Sequence, residues 1–199
     1  MTGAILLAGG RATRLGGCTK PLLEVAGRTL LRRAVDAVDG CRPITVVAPV
    51  LDDTLPVAWV REDPPYGGPA AAVVAALASW PADEAEPDWT VLLACDLPDA
   101  AAAVARLRRD VAFVPGDTDG VCLGDESSRP QWLTGMYRTR ALRTGAGALP
   151  GAGAGASMRD LLTDLAIAVI PAPPHETADV DTWQDVEKAR ARAGGTESR

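Results

Sequence analysis

The sequence predicts a three-layer α/β/α fold of Rossmann-like type around a mostly parallel sheet. Three observations point there. Short continuous apolar runs, Ala4–Ala8 and Thr90–Ala94 foremost, read as strands buried on both faces, as in parallel sheets. Helical patterns alternate with these runs from end to end. The chain has 199 residues, 47% hydrophobic and 23% charged, and shows neither an internal repeat nor a dividing linker. Residues 1–193 are expected to form one domain, with 194–199 a frayed tail.

Each element has a local reason. Ala4–Ala8 ends in Gly-Gly and opens a glycine- and arginine-rich loop that runs to Lys20. Thr29 is a fitting N-cap for a helix to Val38, because Leu30, Leu31, Ala34, Val35 and Val38 share one face and Gly40 stops it. Ile44–Ala48 and Val57–Val60 are strand-like. Pro69 suits the first position of a helix that ends near Trp80. Thr90–Ala94 is a strand and Ala100–Arg109 a helix. Val111–Val114, Val121–Leu123 and Gln131–Tyr137 read as strands, Thr139–Leu149 and Ser157–Leu165 as helices. Ile167–Ile170 is a strand, and Thr182–Ala193 closes the chain as a helix.

Charge and composition exclude several functions. The net charge of −6 makes the whole protein a poor partner for nucleic acid, and one Phe with two Tyr provides few stacking platforms. A single histidine, His175, leaves no material for a multi-histidine metal site. The four cysteines form no C-x-x-C pair and read as free thiols of a reducing compartment. The N-terminus lacks a charged leader, and no apolar run approaches the ~20 residues of a membrane helix. The chain therefore reads as cytoplasmic, with no membrane partner. The charge is also uneven. Residues 1–33 hold six bases (Arg11, Arg14, Lys20, Arg28, Arg32, Arg33) against one acid, Glu24. Arg28, Arg32 and Arg33 read as plain surface on or near the first helix.

Ligands of open α/β sheets bind beyond the carboxyl ends of the strands, so the residues that follow strands carry the argument. Leu7-Ala8-Gly9-Gly10-Arg11-Ala12-Thr13-Arg14-Leu15-Gly16-Gly17-Cys18-Thr19-Lys20 is the most informative stretch. Its glycines let the backbone approach an anion, its N–H groups can cradle one, and three cations add charge. It is not a Walker A loop, since Pro21 follows Lys20. It is not a G-x-G-x-x-G fingerprint either, since the glycines come as adjacent pairs.

The spacing G-G-x-x-x-R-L-G-x-x-x-K after a Leu-Ala-ended strand resembles the nucleotidyltransferase superfamily. In its Leu-Ala-Gly-Gly form it resembles the molybdenum cofactor guanylyltransferases (molybdopterin-guanine dinucleotide biosynthesis protein A-like). The resemblance implies a nucleotidyltransferase fold and spans roughly residues 4–190. It implies nucleotide contacts from Leu7, Ala8, Gly9, Gly10, Arg11 and Lys20. Arg61-Glu62-Asp63, ahead of Gly67-Gly68-Pro69, matches the acidic residue before a helix start, which implies that Asp63 reads the guanine edge and that Gly68 faces the nucleotide. Otherwise Asp63 is an acidic loop residue beside Arg61. Cys95-Asp96-Leu97-Pro98 matches the motif whose aspartate binds catalytic Mg²⁺, and Asp96 suits a hard ion. Its other reading is a helix cap. Asp179-Val180-Asp181-Thr182 matches the motif before the last helix, where Asp181 either joins Asp96 on the metal or caps that helix. Arg129-Pro130-Gln131 and Gly151–Ser157 with Met158-Arg159 resemble acceptor-facing segments.

The departures are Thr19 where an Asp usually precedes the Lys, Ala48-Pro49 where an Asn is frequent, and Asp-x-Asp where guanylyl members carry Asn-x-Asn. The implied reaction is GMP transfer from GTP to the phosphate of molybdopterin, with pyrophosphate released. Mg²⁺ is the implied cofactor and Arg14, Lys20 and Asp96 the catalytic residues. Transient contact with cofactor-delivering proteins or molybdoenzymes is also implied. The alternatives are a related Mg²⁺-dependent transferase using CTP or another acceptor phosphate, and a non-catalytic nucleotide-binding module.

Overall fold

A computed structural model describes residues 1–9, 18–81 and 86–196. Nine strands and the helices between most of them are found among these residues. The central sheet uses β1 (Thr2–Leu7), β4 (Ile44–Val47), β5 (Ala58–Val60), β6 (Trp89–Ala94), β7 (Gly120–Gly124), β8 (Pro130–Arg138) and β9 (Ile167–Pro171). Their spatial order is β5-β4-β1-β6-β8-β7-β9. All pairings are parallel except the two made by β8. The expected mostly parallel α/β architecture is what forms.

The period of two along each strand sorts side chains onto two faces. Ala4 and Leu6 of β1, with Val91 and Leu93 of β6, pack under α1 (Leu30–Ala37) and α3 (Ala100–Asp110). Ile5 and Leu92 point the other way. They pack under α2 (Pro69–Ala78), α4 (Thr139–Ala148) and the short α5 (Met158–Leu161). Thr29 caps α1 as expected, its Oγ1 accepting from Arg32 N at 3.1 Å. Pro69 is the first residue of α2. Buried polar pairs sit on the second face: the Trp80 indole donates to Thr45 Oγ1 at 2.7 Å, and the hydroxyls of Thr90 and Thr139 meet at 2.8 Å.

A third, smaller cluster lies beside this sandwich and matters for the site. A two-residue hairpin, β2 (Glu24–Val25) and β3 (Arg28–Thr29), turns at Ala26 and Gly27, with φ of 48° and 70°. Two successive positive φ values give the turn that matches strand twist. Val25 and Leu30 pack there against Val180 and against Val186 and Ala189 of α7 (Trp183–Thr196).

Three sequence expectations change, and two short elements appear that the sequence did not predict. Val111–Val114 is not a strand: Val111–Phe113 continues directly from α3 as a 3₁₀ turn, with Phe113 exposed rather than packed in the sheet. The helix expected over Ser157–Leu165 ends at Leu161, where Leu162 leaves helical geometry at φ −105°. The closing helix runs past Ala193 to Thr196. The hairpin was not expected, since strands of two residues carry no periodicity. A short helix α6, Pro174–Thr177, completes the chain; its Glu176 is buried and pairs with Arg106 of α3.

Candidate active site

β4 and β6 flank β1 on opposite sides, so the connections diverge beside β1 and leave a crevice above its carboxyl end. A cleft of about 590 Å³ opens there. Leu7, Gly9, Gly68 and Asp96 line it, four of the residues expected at the nucleotide. Ala8 lies beneath, buried, its N–H donating to Val47 O at 3.3 Å. The rest of the wall comes from Val47, Glu62, Tyr66, Pro69, Ala72, Ala94 and Leu133. Gly68 has φ +97°, a conformation that favours glycine, and it delivers the amino end of α2 to the cleft. Gly10, Arg11 and Arg14 lie outside the described residues.

Asp96 follows β6 directly. Cys95 N donates to Leu7 O at 2.9 Å, which registers this turn against the end of β1. Asp96 does not cap α3, whose N-cap is Asp99. Its Oδ2 instead accepts from Lys20 Nζ at 2.9 Å, and the same ammonium donates to Asp181 Oδ1 at 2.7 Å. Lys20 starts the 3₁₀ turn Lys20–Leu22, anchored by buried Pro21. Asp181 does not supply the cap of α7 either. Thr182 does so: its Oγ1 accepts from Asp185 N at 3.3 Å, and Asp185 Oδ2 accepts from Thr182 N at 2.9 Å. Both aspartates are thereby left to face the cation.

The electrostatics follow from this packing. Burial pulls the Lys20 pKa down, but the Asp96 charge and the hydrogen bonds to Asp181 and Asp96 outweigh it, so the pKa is raised. Asp179 is exposed on one side and desolvated on the other; that, with the charges of Asp96 and Asp181, raises its pKa. The Cys95 thiol is buried and its pKa is pushed well up, so it stays neutral and packed.

Residues 4–168 match the family model described as the MobA-like NTP transferase domain. The chain belongs to this family. It is 34% identical over 146 residues to a probable molybdenum cofactor guanylyltransferase of Synechococcus elongatus, a match covering 68% of this chain and 71% of that one. It is 37% identical over 110 residues to a molybdenum cofactor guanylyltransferase of Rhodopseudomonas palustris, across 49% of each chain. The fold matches the crystal structure of molybdopterin-guanine dinucleotide biosynthesis protein A from Archaeoglobus fulgidus, with TM-score 0.72, 16% identity and coverage of 98% and 100%. It also matches 2-C-methyl-D-erythritol 4-phosphate cytidylyltransferase from Thermus thermophilus, with TM-score 0.65, 14% identity and coverage of 96% and 98%. Members of this fold thus include enzymes named for different nucleotides. No helix among the described residues is long and apolar enough to cross a membrane.

Two site features were missed in the sequence. Glu62, not its neighbour Asp63, lines the cleft; Asp63 is exposed and is not part of the wall. Glu62 Oε1 accepts from Tyr66 N at 3.0 Å and holds that residue at φ +66° beside the cleft. Arg33 is not plain surface: its guanidinium donates to Val25 O at 2.6 Å and to Pro98 O at 3.4 Å, tying the hairpin to the loop after Asp96. No motif marks Arg33, since its partners are backbone carbonyls remote in sequence. Arg28 and Arg32 pair with Asp36 instead, at 2.9 and 3.4 Å.

Proposed function

We propose that the protein transfers the GMP group of GTP to the phosphate of molybdopterin and releases pyrophosphate. One observation carries the reading: Asp96 and Asp181 converge on a single cation position beside the cleft above β1. Family membership makes nucleotidyl transfer the reaction class. The names of the cyanobacterial and proteobacterial relatives favour guanylyl transfer.

An acceptor phosphate oxygen is already ionised near neutral pH, so it attacks the α-phosphorus without a general base. The bond to the bridging oxygen breaks, and pyrophosphate leaves with the electron pair. The chain then has to position two anions and offset their charge. Arg11, Arg14 and Lys20 suit the triphosphate, and the amino end of α2 adds N–H donors. Glu62, the acidic side chain of the Arg61-Glu62-Asp63 run that lines the cleft, suits a guanine edge, which offers two donors where cytosine offers one. The donor set fits Mg²⁺, because two hard carboxylate oxygens already share one cation, leaving phosphate oxygens and water to complete a shell. Mg²⁺ held by Asp96 and Asp181 would supply charge neutralisation at the reacting phosphates.

The test is thermal-shift titration with GTP, CTP, UTP and ATP, each with Mg²⁺, followed by pyrophosphate release with molybdopterin. Stabilisation by GTP and guanine-dependent release are expected. Preference for CTP would replace the guanylyl reading with the cytidylyl one, which the shared fold of the cytidylyltransferase keeps in view. Binding without release would mark a nucleotide-binding module.

A further inference from the structure

We propose that Lys20 is the resident cation of the Asp96–Asp181 pair, exchanged for a divalent cation only when a nucleotide takes up the displaced ammonium. The inference rests on the transferase reading for the identity of the arriving metal. It assigns Lys20 two stations, one between the carboxylates and one on the phosphates.

The geometry is that of an occupied cation site. A single ammonium lies 2.9 Å from Asp96 Oδ2 and 2.7 Å from Asp181 Oδ1. The three residues come from three separate segments, the turn before the hairpin, the loop after β6 and the approach to α7. The packing therefore has to assemble this contact deliberately. The Lys20 side chain keeps 17% of its exposure, Asp96 25% and Asp181 46%, so solvent screens the contact to Asp96 less than the one to Asp181. Two partly buried carboxylates this close repel each other unless a cation sits between them.

Mg²⁺ bonds carboxylate oxygens at about 2.0–2.1 Å, well inside ammonium contact distance. It cannot share the position with the Lys20 head group, so binding requires that group to leave. Leaving is costly if the ammonium finds no other anion. A triphosphate supplies one, and the four-carbon stem of Lys20 starts from the turn that ends the glycine loop. Metal and nucleotide should therefore bind with positive coupling, each raising the affinity for the other by the same factor. Metal alone competes with an internal salt bridge and binds weakly.

The experiment measures Mn²⁺ binding to the nucleotide-free, full-length protein by the EPR signal of the free ion. Wild type, Lys20→Gln and Lys20→Arg are compared, with Asp96→Asn as the control for the site. Lys20→Gln is expected to bind Mn²⁺ at least roughly tenfold more tightly than wild type, because a neutral amide no longer offsets the carboxylates. Lys20→Arg should stay within about threefold of wild type. Equal or weaker binding by Lys20→Gln overturns the exchange while leaving metal binding itself intact. Failure of every form to take Mn²⁺, with or without GTP, removes the metal reading and the exchange together. A second readout needs no variant. Lys20 and Lys188 are the only lysines, so ¹⁵N-lysine spectra contain two side-chain signals. The Lys20 signal should hold still with Mg²⁺ alone and move with Mg²⁺ plus GTP. Movement with stoichiometric Mg²⁺ alone overturns the proposal.

Discussion

The backbone N–H of Val180 donates to the carbonyl of Asp96 at 3.0 Å. That bond ties the approach to the last helix to the loop after the central strand. The Val180 side chain is buried in the third cluster, with Val25, Leu30 and Val186. Its flanking residue Asp181 is thereby held beside Asp96. Val180→Ala should cost about 1–2 kcal/mol of stability, from two buried methyl groups. It should also slow pyrophosphate release, because Asp181 loses its support. Full activity in a destabilised variant would show that the cluster does not position the site.

Asp96→Ala should lower transfer by about 10²–10⁴ at saturating Mg²⁺, equivalent to about 3–5 kcal/mol of transition-state stabilisation. The fold should survive, since this side chain supports no core packing. A rate near wild type would remove Asp96 from catalysis.

Glu62 and Asp63 are separable by alanine substitution. Glu62 lines the cleft and Asp63 does not, so Glu62→Ala should raise KM for GTP and narrow the preference over CTP. Asp63→Ala should do less. A larger loss of base discrimination in Asp63→Ala would mean that the loop rearranges around the bound base.

Two glycines of α4 should respond with opposite signs. A Cβ on Gly145 would come within 2.2 Å of Leu161 O, a backbone atom of α5. Gly145→Ala should therefore destabilise by about 1–3 kcal/mol through overpacking. A Cβ on Gly147 would meet nothing within 4 Å. Gly147→Ala should stabilise by about 0.5–1 kcal/mol, as alanine does in a helix. Urea unfolding of both variants checks the pair.

Acid should weaken the helix starts at Ser157 and Thr182. Asp160 is held below its ordinary value of 3.8 by the Ser157 hydroxyl and then the Ser157 backbone N–H. Asp185 is lowered in the same way, first by the Thr182 hydroxyl. A depressed carboxylate stabilises fully above its unfolded pKa and loses that effect as pH falls through the folded one. Their contribution should be intact near pH 5 and disappear on acidification below about pH 4. The double variant Asp160→Asn, Asp185→Asn should flatten the Tm profile across that range. An unchanged slope would place the acid sensitivity elsewhere.

Local chemistry was enough to find much of this protein. Continuous apolar runs revealed β1 and β6, Thr29 and Pro69 marked helix starts, and Asp96 stood out as a carboxylate at the end of an apolar strand. These signals come from neighbours along the chain, where spacing and burial pattern are legible. The two open readings of Asp181, metal ligand or cap, could not be separated in that way. Thr182 takes the cap, and only the packing of α7 on the hairpin brings Asp181 to the ammonium of Lys20. Arg33 and Glu62 were hidden for the same reason. One acts on distant backbone carbonyls, and the other is told from Asp63 only by which side chain meets the cleft. By itself the sequence determined the layers of the fold and the acidic strand end, because each depends on contiguous residues. The tertiary structure alone decided which acids share a cation and which carboxylate lines the cleft, because long-range packing sets those distances.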